Sequence, residues 1–148
     1  LCGSVPNDPH AKAYFERLQA SVGGGLRVEF VISPTRQTLD RLLWESAVYA
    51  HATGFGVKNS QEHWRCEHFG ITLVEALAAG CSTHAFGVGG GPEIARMTGS
   101  GAAFLSVEEL AHQFEHATLD PLPRAQREKA VKLFGDDAFS SRLSALLT

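Results

Sequence analysis

The sequence predicts an α/β fold, a parallel sheet flanked by helices, with C-terminal helices closing the chain. Two features predict it. Short apolar runs alternate with stretches of helical period along most of the length. Glycine or proline marks the junctions, at Gly23–Gly25, Gly80, Gly87–Gly91, Pro92 and Gly99.

Leu1 to Gly3 reads as the stub of a first strand entered in mid-element. The only methionine is Met97, so the chain is expected to be a piece of a longer protein. Asp8-Pro9 supplies an N-cap and a proline at the first helical position, and Ala11, Tyr14, Phe15, Leu18 and Val22 follow at helical spacing. Leu26, Val28, Phe30 and Ile32 then alternate as a strand, with Val31 adding to its burial. Leu39, Leu42 and Leu43 mark a second helix, with Trp44 expected in the core, before a strand over residues 47–52. Residues 53–66 read as a long loop, and loops of that length in compact domains are usually functional or mobile. A helix over Thr72 to Ala79 stops at Gly80. A strand over 82–86, a glycine-dense turn and a helix opened by Pro92 follow. Ala102 to Leu105 forms the last strand, and Ser106-x-x-Glu109 is a capping box for the next helix. After Asp120-Pro121-Leu122-Pro123 come two more helices, the last starting at Asp136 or Asp137 and expected to bury Phe139, Leu143 and Leu146. About five strands and six or seven helices in this order give one open sheet, whose ligands bind at the carboxyl ends of the strands.

Composition narrows the function. The 148 residues carry 13 Lys and Arg against 16 Asp and Glu, a formal charge of −3. With no long basic run there is no footprint for nucleic acid. No apolar stretch approaches the length of a spanning helix, and no signal-peptide profile opens the chain. The three cysteines, Cys2, Cys66 and Cys81, form no CxxC pair and favour a reducing, cytoplasmic compartment over a disulfide framework.

The informative stretch runs from Glu67 to Gly80. It sets two carboxylates, Glu67 and Glu75, eight residues apart, one before a helix and one near its start. Between them Phe69, Gly70 and Ile71 place backbone N–H groups at a helix N-terminus, where an anionic phosphate is favoured. Carboxylates beside such a site accept hydrogen bonds from sugar or ribose hydroxyls. Thr72-x-x-Glu75 is also a capping box, in which Glu75 merely closes the helix, and both readings stand on this pattern alone.

The stretch resembles the E-x7-E signature of retaining glycosyltransferases of the GT-B fold, in particular family 4 (group 1). Gly89-Gly90-Gly91-Pro92-Glu93-Ile94 is similar to that family's Gly-Gly-x-x-Glu-Ile segment. The strand end Leu1-Cys2-Gly3-Ser4, Val28-Glu29-Phe30, and Leu39-x-x-Leu42-Leu43 with the Ala-Val-Tyr strand after it match its pattern upstream. The resemblance implies a Rossmann-like, nucleotide-sugar-binding C-terminal domain over residues 1–148, with 121–148 as a C-terminal helical segment. It implies that Glu67 is the catalytic acid beside the donor sugar. Gly70, Ile71 and Thr72 would meet the diphosphate and Glu75 the ribose, with Phe69 beside them in the donor-binding site, while Ile32 and Ser33 would flank the base. The donor would be a UDP- or GDP-linked sugar, transferred with retention and without a bound metal or other cofactor. The implied partner is an N-terminal acceptor domain of the same protein, and peripheral membrane contact of the whole protein is compatible with the reading. That domain, and the basic strand that clamps the diphosphate in this family, are not in this sequence. The isolated chain is therefore expected to transfer no sugar. A non-catalytic nucleotide- or phosphate-binding module is the alternative.

Other signals compete. His112-Gln113-Phe114-Glu115-His116 fits H-x-x-E-H, which sets two imidazoles one turn apart and would suit a metal-dependent hydrolase, but no third ligand is evident. His51, at a strand end, suits either the donor or a packing role, and His68 reads as a solvent-facing neighbour. Lys58 and Arg65 match no motif and read as solvated. Trp64 lies in the long loop, where it would cover a ligand or an interface. There is no P-loop, no G-x-G-x-x-G and no nucleophile elbow.

Overall fold

The computed structural model describes residues 1–57 and 60–146, which form two compact units, Leu1–Leu42 and Leu43–Thr148. In the first unit β1 (Cys2–Gly3) pairs in parallel with β2 (Val31–Ile32), Cys2 opposite Val31 and Gly3 opposite Ile32. Between them runs α1 (Pro9–Ser21). Asp8 Oδ1 accepts the Ala11 N–H at 2.9 Å, and Pro9 takes a first-turn position that needs no donor. Phe15 of α1 meets Phe30 edge to face at 5.5 Å. The strand expected from Leu26 is much shorter: only Val31 and Ile32 pair, and Leu26 is exposed. Alternation marks a face of the chain but does not supply a ladder partner, and the pairing observed is Val31 and Ile32 with Cys2 and Gly3. α2 (Arg36–Glu45) spans the boundary of the units. Its Leu43 is buried, whereas Trp44, expected in the core, is exposed because it sits about 100° further round the helix.

In the second unit β3 (Val48–His51), β4 (Ser82–Phe86) and β5 (Ala102–Phe104) form a parallel sheet in chain order. Val48 to His51 lie opposite Ser82 to Ala85, and His84 to Phe86 opposite Ala102 to Phe104. Among the described residues the five strands thus pair as two sheets, where one open sheet is expected. Four of the five residues of the central strand β4 are buried, as helices on both faces of a parallel sheet require. α3 (Ile71–Ala79) links β3 to β4, and α4 (Gly90–Thr98) links β4 to β5. Leu73 and Leu77 of α3, Ala85, Ile94 of α4 and Ala130 of α6 (Arg124–Phe134) form the core, with Tyr49, Val74, Leu122 and Phe134 against it. The capping box at α5 (Val107–Glu115) forms: Ser106 Oγ accepts the Glu109 N–H at 3.1 Å, and Glu109 Oε2 reaches back to the Leu105 N–H at 2.8 Å.

Two further expectations are corrected. Among the described residues of the long loop, Ser60–Arg65 form 3-10 turns broken at Glu62, and Phe55 packs against Phe86 and Phe104 at 5.6 and 6.3 Å. α7 (Asp136–Leu146) starts where expected, but Phe139, Leu143 and Leu146 are exposed rather than buried. Helical spacing decides which residues share a face, not whether another element meets it. No helix is long and apolar enough to cross a membrane among the described residues.

Candidate functional site

β3 delivers two polar side chains to its carboxyl end. Residues two apart on a strand share a face, so Tyr49 and His51 stand together, their rings stacked at 6.1 Å. The chain returns beside them at Glu67. His51 Nε2 lies 3.1 Å from Glu67 Oε2, while Glu67 Oε1 accepts the N–H groups of Phe69 at 3.2 Å and Gly70 at 3.0 Å. Burial raises the Glu67 pKa, but the Phe69 N–H, the His51 hydrogen bond, the Gly70 N–H and the His51 charge together outweigh it. The carboxyl is held below the ordinary glutamate range.

A depressed folded-state pKa contributes stability that is complete above the unfolded value and lost as pH falls through the folded one. The window therefore opens near the ordinary glutamate pKa of about 4.3 and extends below it. Melting temperatures of wild type and Glu67→Gln should converge on acidification through that window. A constant difference from neutral pH down through that window would contradict the Glu67 geometry.

Gly70 is the N-cap of α3, with a left-handed backbone (φ 86°, ψ 57°) and no side-chain capping bond. Such a backbone favours glycine. It turns the chain from Glu67 into the helix so tightly that the carboxylate reaches the turn's own N–H groups. Thr72 is consequently the second helical residue rather than the cap, and the capping box read at Thr72-x-x-Glu75 does not form. The Thr72 hydroxyl accepts instead from the Tyr49 hydroxyl at 2.9 Å. Ile71 and Thr72 open the helix, where N–H groups have no carbonyl one turn back. Glu75, half-buried, follows Thr72 by three residues and lies on the same face.

The second glycine cluster holds this loop from behind. Glu67 and Gly89 form a parallel bridge, and the Gly90 N–H donates to the Glu67 carbonyl at 2.8 Å. Gly89 adopts φ 98°, ψ −152°, and a Cβ there would overlap the Glu67 carbonyl oxygen. A Cβ at Gly90 would sit 2.5 Å from the His68 oxygen and 2.8 Å from that of Phe69. The two motifs are thus one structure: the glycines let α4 start in contact with the backbone that carries Glu67.

The structure therefore brings Glu67, Phe69, Gly70, Ile71, Thr72 and Glu75 to one helix entrance. Phe69 is partly exposed and meets Phe134 edge to face at 5.6 Å. Ile32 and Ser33 belong to the other compact unit. Ile32 is partly exposed, and Ser33 is the one described non-glycine residue with positive φ (50°), its N–H bonded to the Gly3 carbonyl at 2.7 Å. His68 is exposed, as expected. Arg65 pairs with Glu62 at 3.1 Å in solvent, Trp64 is exposed, and Lys58 lies outside the described residues. Sequence reasoning missed Tyr49. Its signal was available, because Tyr49 and His51 alternate onto one face at a carboxyl strand end, where parallel sheets bind ligands.

His112 and His116 stack at 4.4 Å on an exposed helix face, with His116 Nδ1 2.8 Å from the His112 carbonyl oxygen. Among the described residues no group of three or more His, Cys, Asp or Glu is placed to hold a metal. The H-x-x-E-H reading thus gains no third ligand.

No curated protein and no solved structure matches the chain. The family model for glycosyl transferases group 1 matches residues 1–133. That match spans both compact units, the Glu67 loop, α3 and the glycine turn. The chain is a member of the group 1 glycosyltransferase family.

Proposed function

We propose that this chain is the donor-binding domain of a retaining, family 4 hexosyltransferase that moves a sugar from a UDP- or GDP-linked donor to an acceptor. The observation that carries the reading is the α3 entrance. There one acid sits before a left-handed glycine cap, the opening N–H groups of a helix follow, and a second acid lies on the same face as Thr72. An oxyanion leaving group is stabilised where fixed N–H dipoles converge and water is excluded. Glu67 is the acid beside the sugar. Gly70, whose N–H is taken by Glu67, turns the chain so that Ile71 and Thr72 meet the diphosphate; Phe69 lines the donor site, and Glu75 accepts from the ribose. Ile32 and Ser33 flank the base. No metal is assigned a role, because the departing diphosphate is met by N–H groups and the Thr72 hydroxyl. An acceptor domain preceding this one completes the enzyme in the cytoplasm, and the chain alone transfers no sugar.

A phosphate-binding module without catalysis is the second reading, favoured only by the fact that Glu67 already caps the turn at Phe69 and Gly70. Glu75→Gln separates the two. If Glu75 accepts from ribose hydroxyls, the loss of a charged acceptor (about 1.5–3 kcal/mol) should weaken nucleoside diphosphate binding tenfold or more. Titration calorimetry of the full-length enzyme with UDP and GDP measures this. Equal affinity in wild type and variant would remove Glu75 from the donor site.

A further inference from the structure

Tyr49 and His51 have no part in the donor-site assignments above, yet they connect its two halves. From Thr72 Oγ1 the chain of contacts runs 2.9 Å to the Tyr49 hydroxyl and 3.2 Å on to His51 Nδ1. From His51 Nε2 it runs 3.1 Å to Glu67 Oε2. A carboxylate only accepts hydrogen bonds, so the contact with Glu67 Oε2 is one that His51 Nε2 donates. The far oxygen of Glu67 is held by Phe69 and Gly70. Both oxygens are therefore fixed, one by the backbone of the loop and one by a side chain from the sheet. The sheet supplies the rigid reference: β3 is paired along its whole length with β4. An apolar pair would join loop and sheet without desolvating three polar groups, so adhesion alone does not account for this arrangement.

We propose that His51, backed by Tyr49, is the positioning residue of the donor site. It sets the plane of the Glu67 carboxylate and ties it to Thr72, so that the acid facing the sugar and the hydroxyl facing the diphosphate are presented in one geometry. This inference rests on the donor-site reading of Glu67 and Thr72. His51 acts through Glu67 and is assigned no contact with the sugar.

The test uses the full-length enzyme with the UDP- or GDP-hexose that the wild type transfers. The variants are His51→Ala, His51→Gln, Tyr49→Phe and Glu67→Gln, with transfer rate, nucleoside diphosphate affinity and melting temperature measured for each. Loss of a hydrogen bond to a charged group predicts a kcat about tenfold lower in His51→Ala, with nucleoside diphosphate affinity within about twofold of wild type. His51→Gln keeps an N–H near the Nε2 position and should recover much of that rate. Tyr49→Phe should lower kcat by about threefold, leaving His51 in place but unbacked. In a Glu67→Gln background, replacing His51 should change the remaining transfer rate by less than about twofold, because residues acting through one another are not additive.

Transfer and nucleotide affinity falling together, with no recovery in His51→Gln, would overturn the proposal. So would a full His51 effect on top of Glu67→Gln. Should His51→Ala fail to fold, the double-mutant cycle is run with His51→Gln, and full additivity there overturns it equally. Glu67→Ala separates this inference from the reading beneath it. Unchanged transfer in that variant removes the donor site itself, whereas inactive Glu67→Ala beside wild-type His51→Ala overturns the positioning role alone.

Discussion

Glu67→Ala in the full-length enzyme is expected to lower sugar transfer about a hundredfold or more, the scale of removing a group that acts in the transition state. Nucleoside diphosphate affinity should fall far less. The asymmetry follows from geometry. Glu67 stands before the Gly70 cap, on the side of the loop facing His51, whereas the helix N–H groups assigned to the diphosphate lie after it. Deleting the carboxylate leaves the Phe69 and Gly70 N–H groups and the His51 imidazole without their partner, each an unmade bond costing about 1–3 kcal/mol where water cannot replace it. Glu67 is half-buried, so water restores part of that loss and the fold survives. Initial rates and calorimetric titration with UDP and GDP separate the two effects. Losses of equal size in transfer and nucleotide affinity would place Glu67 elsewhere than beside the sugar.

Gly89→Ala should be the most damaging small substitution in the second unit, with Gly90→Ala close behind. At Gly89 the backbone lies in a region nearly closed to other residues, at a cost of about 1–3 kcal/mol. The added methyl also overlaps the Glu67 carbonyl. At Gly90 the new Cβ would press on two backbone oxygens, those of His68 and Phe69. Neither obstacle is the end of a flexible side chain, so relief requires the loop to move as a body. Overpacking of this kind costs about 1–3 kcal/mol, which in a chain of this size lowers the melting temperature by several degrees. Activity should fall further than stability, because the displaced segment is the one that aims Glu67. Gly23→Ala is the control: open space surrounds it, and both melting temperature and transfer should stay near wild type. Wild-type transfer in Gly89→Ala would show that the glycine turn does not support the Glu67 loop.

Much of this was legible in the sequence, for a physical reason. Helix ends and parallel strands are local: Asp8 with Pro9, Ser106 with Glu109, Gly80 and Gly99 each act within a turn of chain, and each ends or starts a helix where its chemistry requires. The E-x7-E stretch and the Gly89–Gly91 cluster are local patterns as well. The sequence by itself determined the α/β class, the element order and the family pattern.

What needed tertiary structure was every statement about which surface meets which. Spacing put Phe139, Leu143 and Leu146 on one helix face and Trp44 beside Leu43, but exposure depends on what stands opposite. Alternation suggested a strand from Leu26, but the ladder forms at Val31 and Ile32, opposite Cys2 and Gly3 at the other end of the unit's sequence. At the site, Thr72-x-x-Glu75 read equally well as a capping box. Only the left-handed turn at Gly70 shifted the helix start and released Thr72 to Tyr49, 23 positions away along the chain. Glu67 likewise acquired His51 across 16 positions and the Gly89–Gly90 turn behind it. Contacts between distant segments depend on the summed packing of the sheet and its helices, and no window of sequence contains that sum.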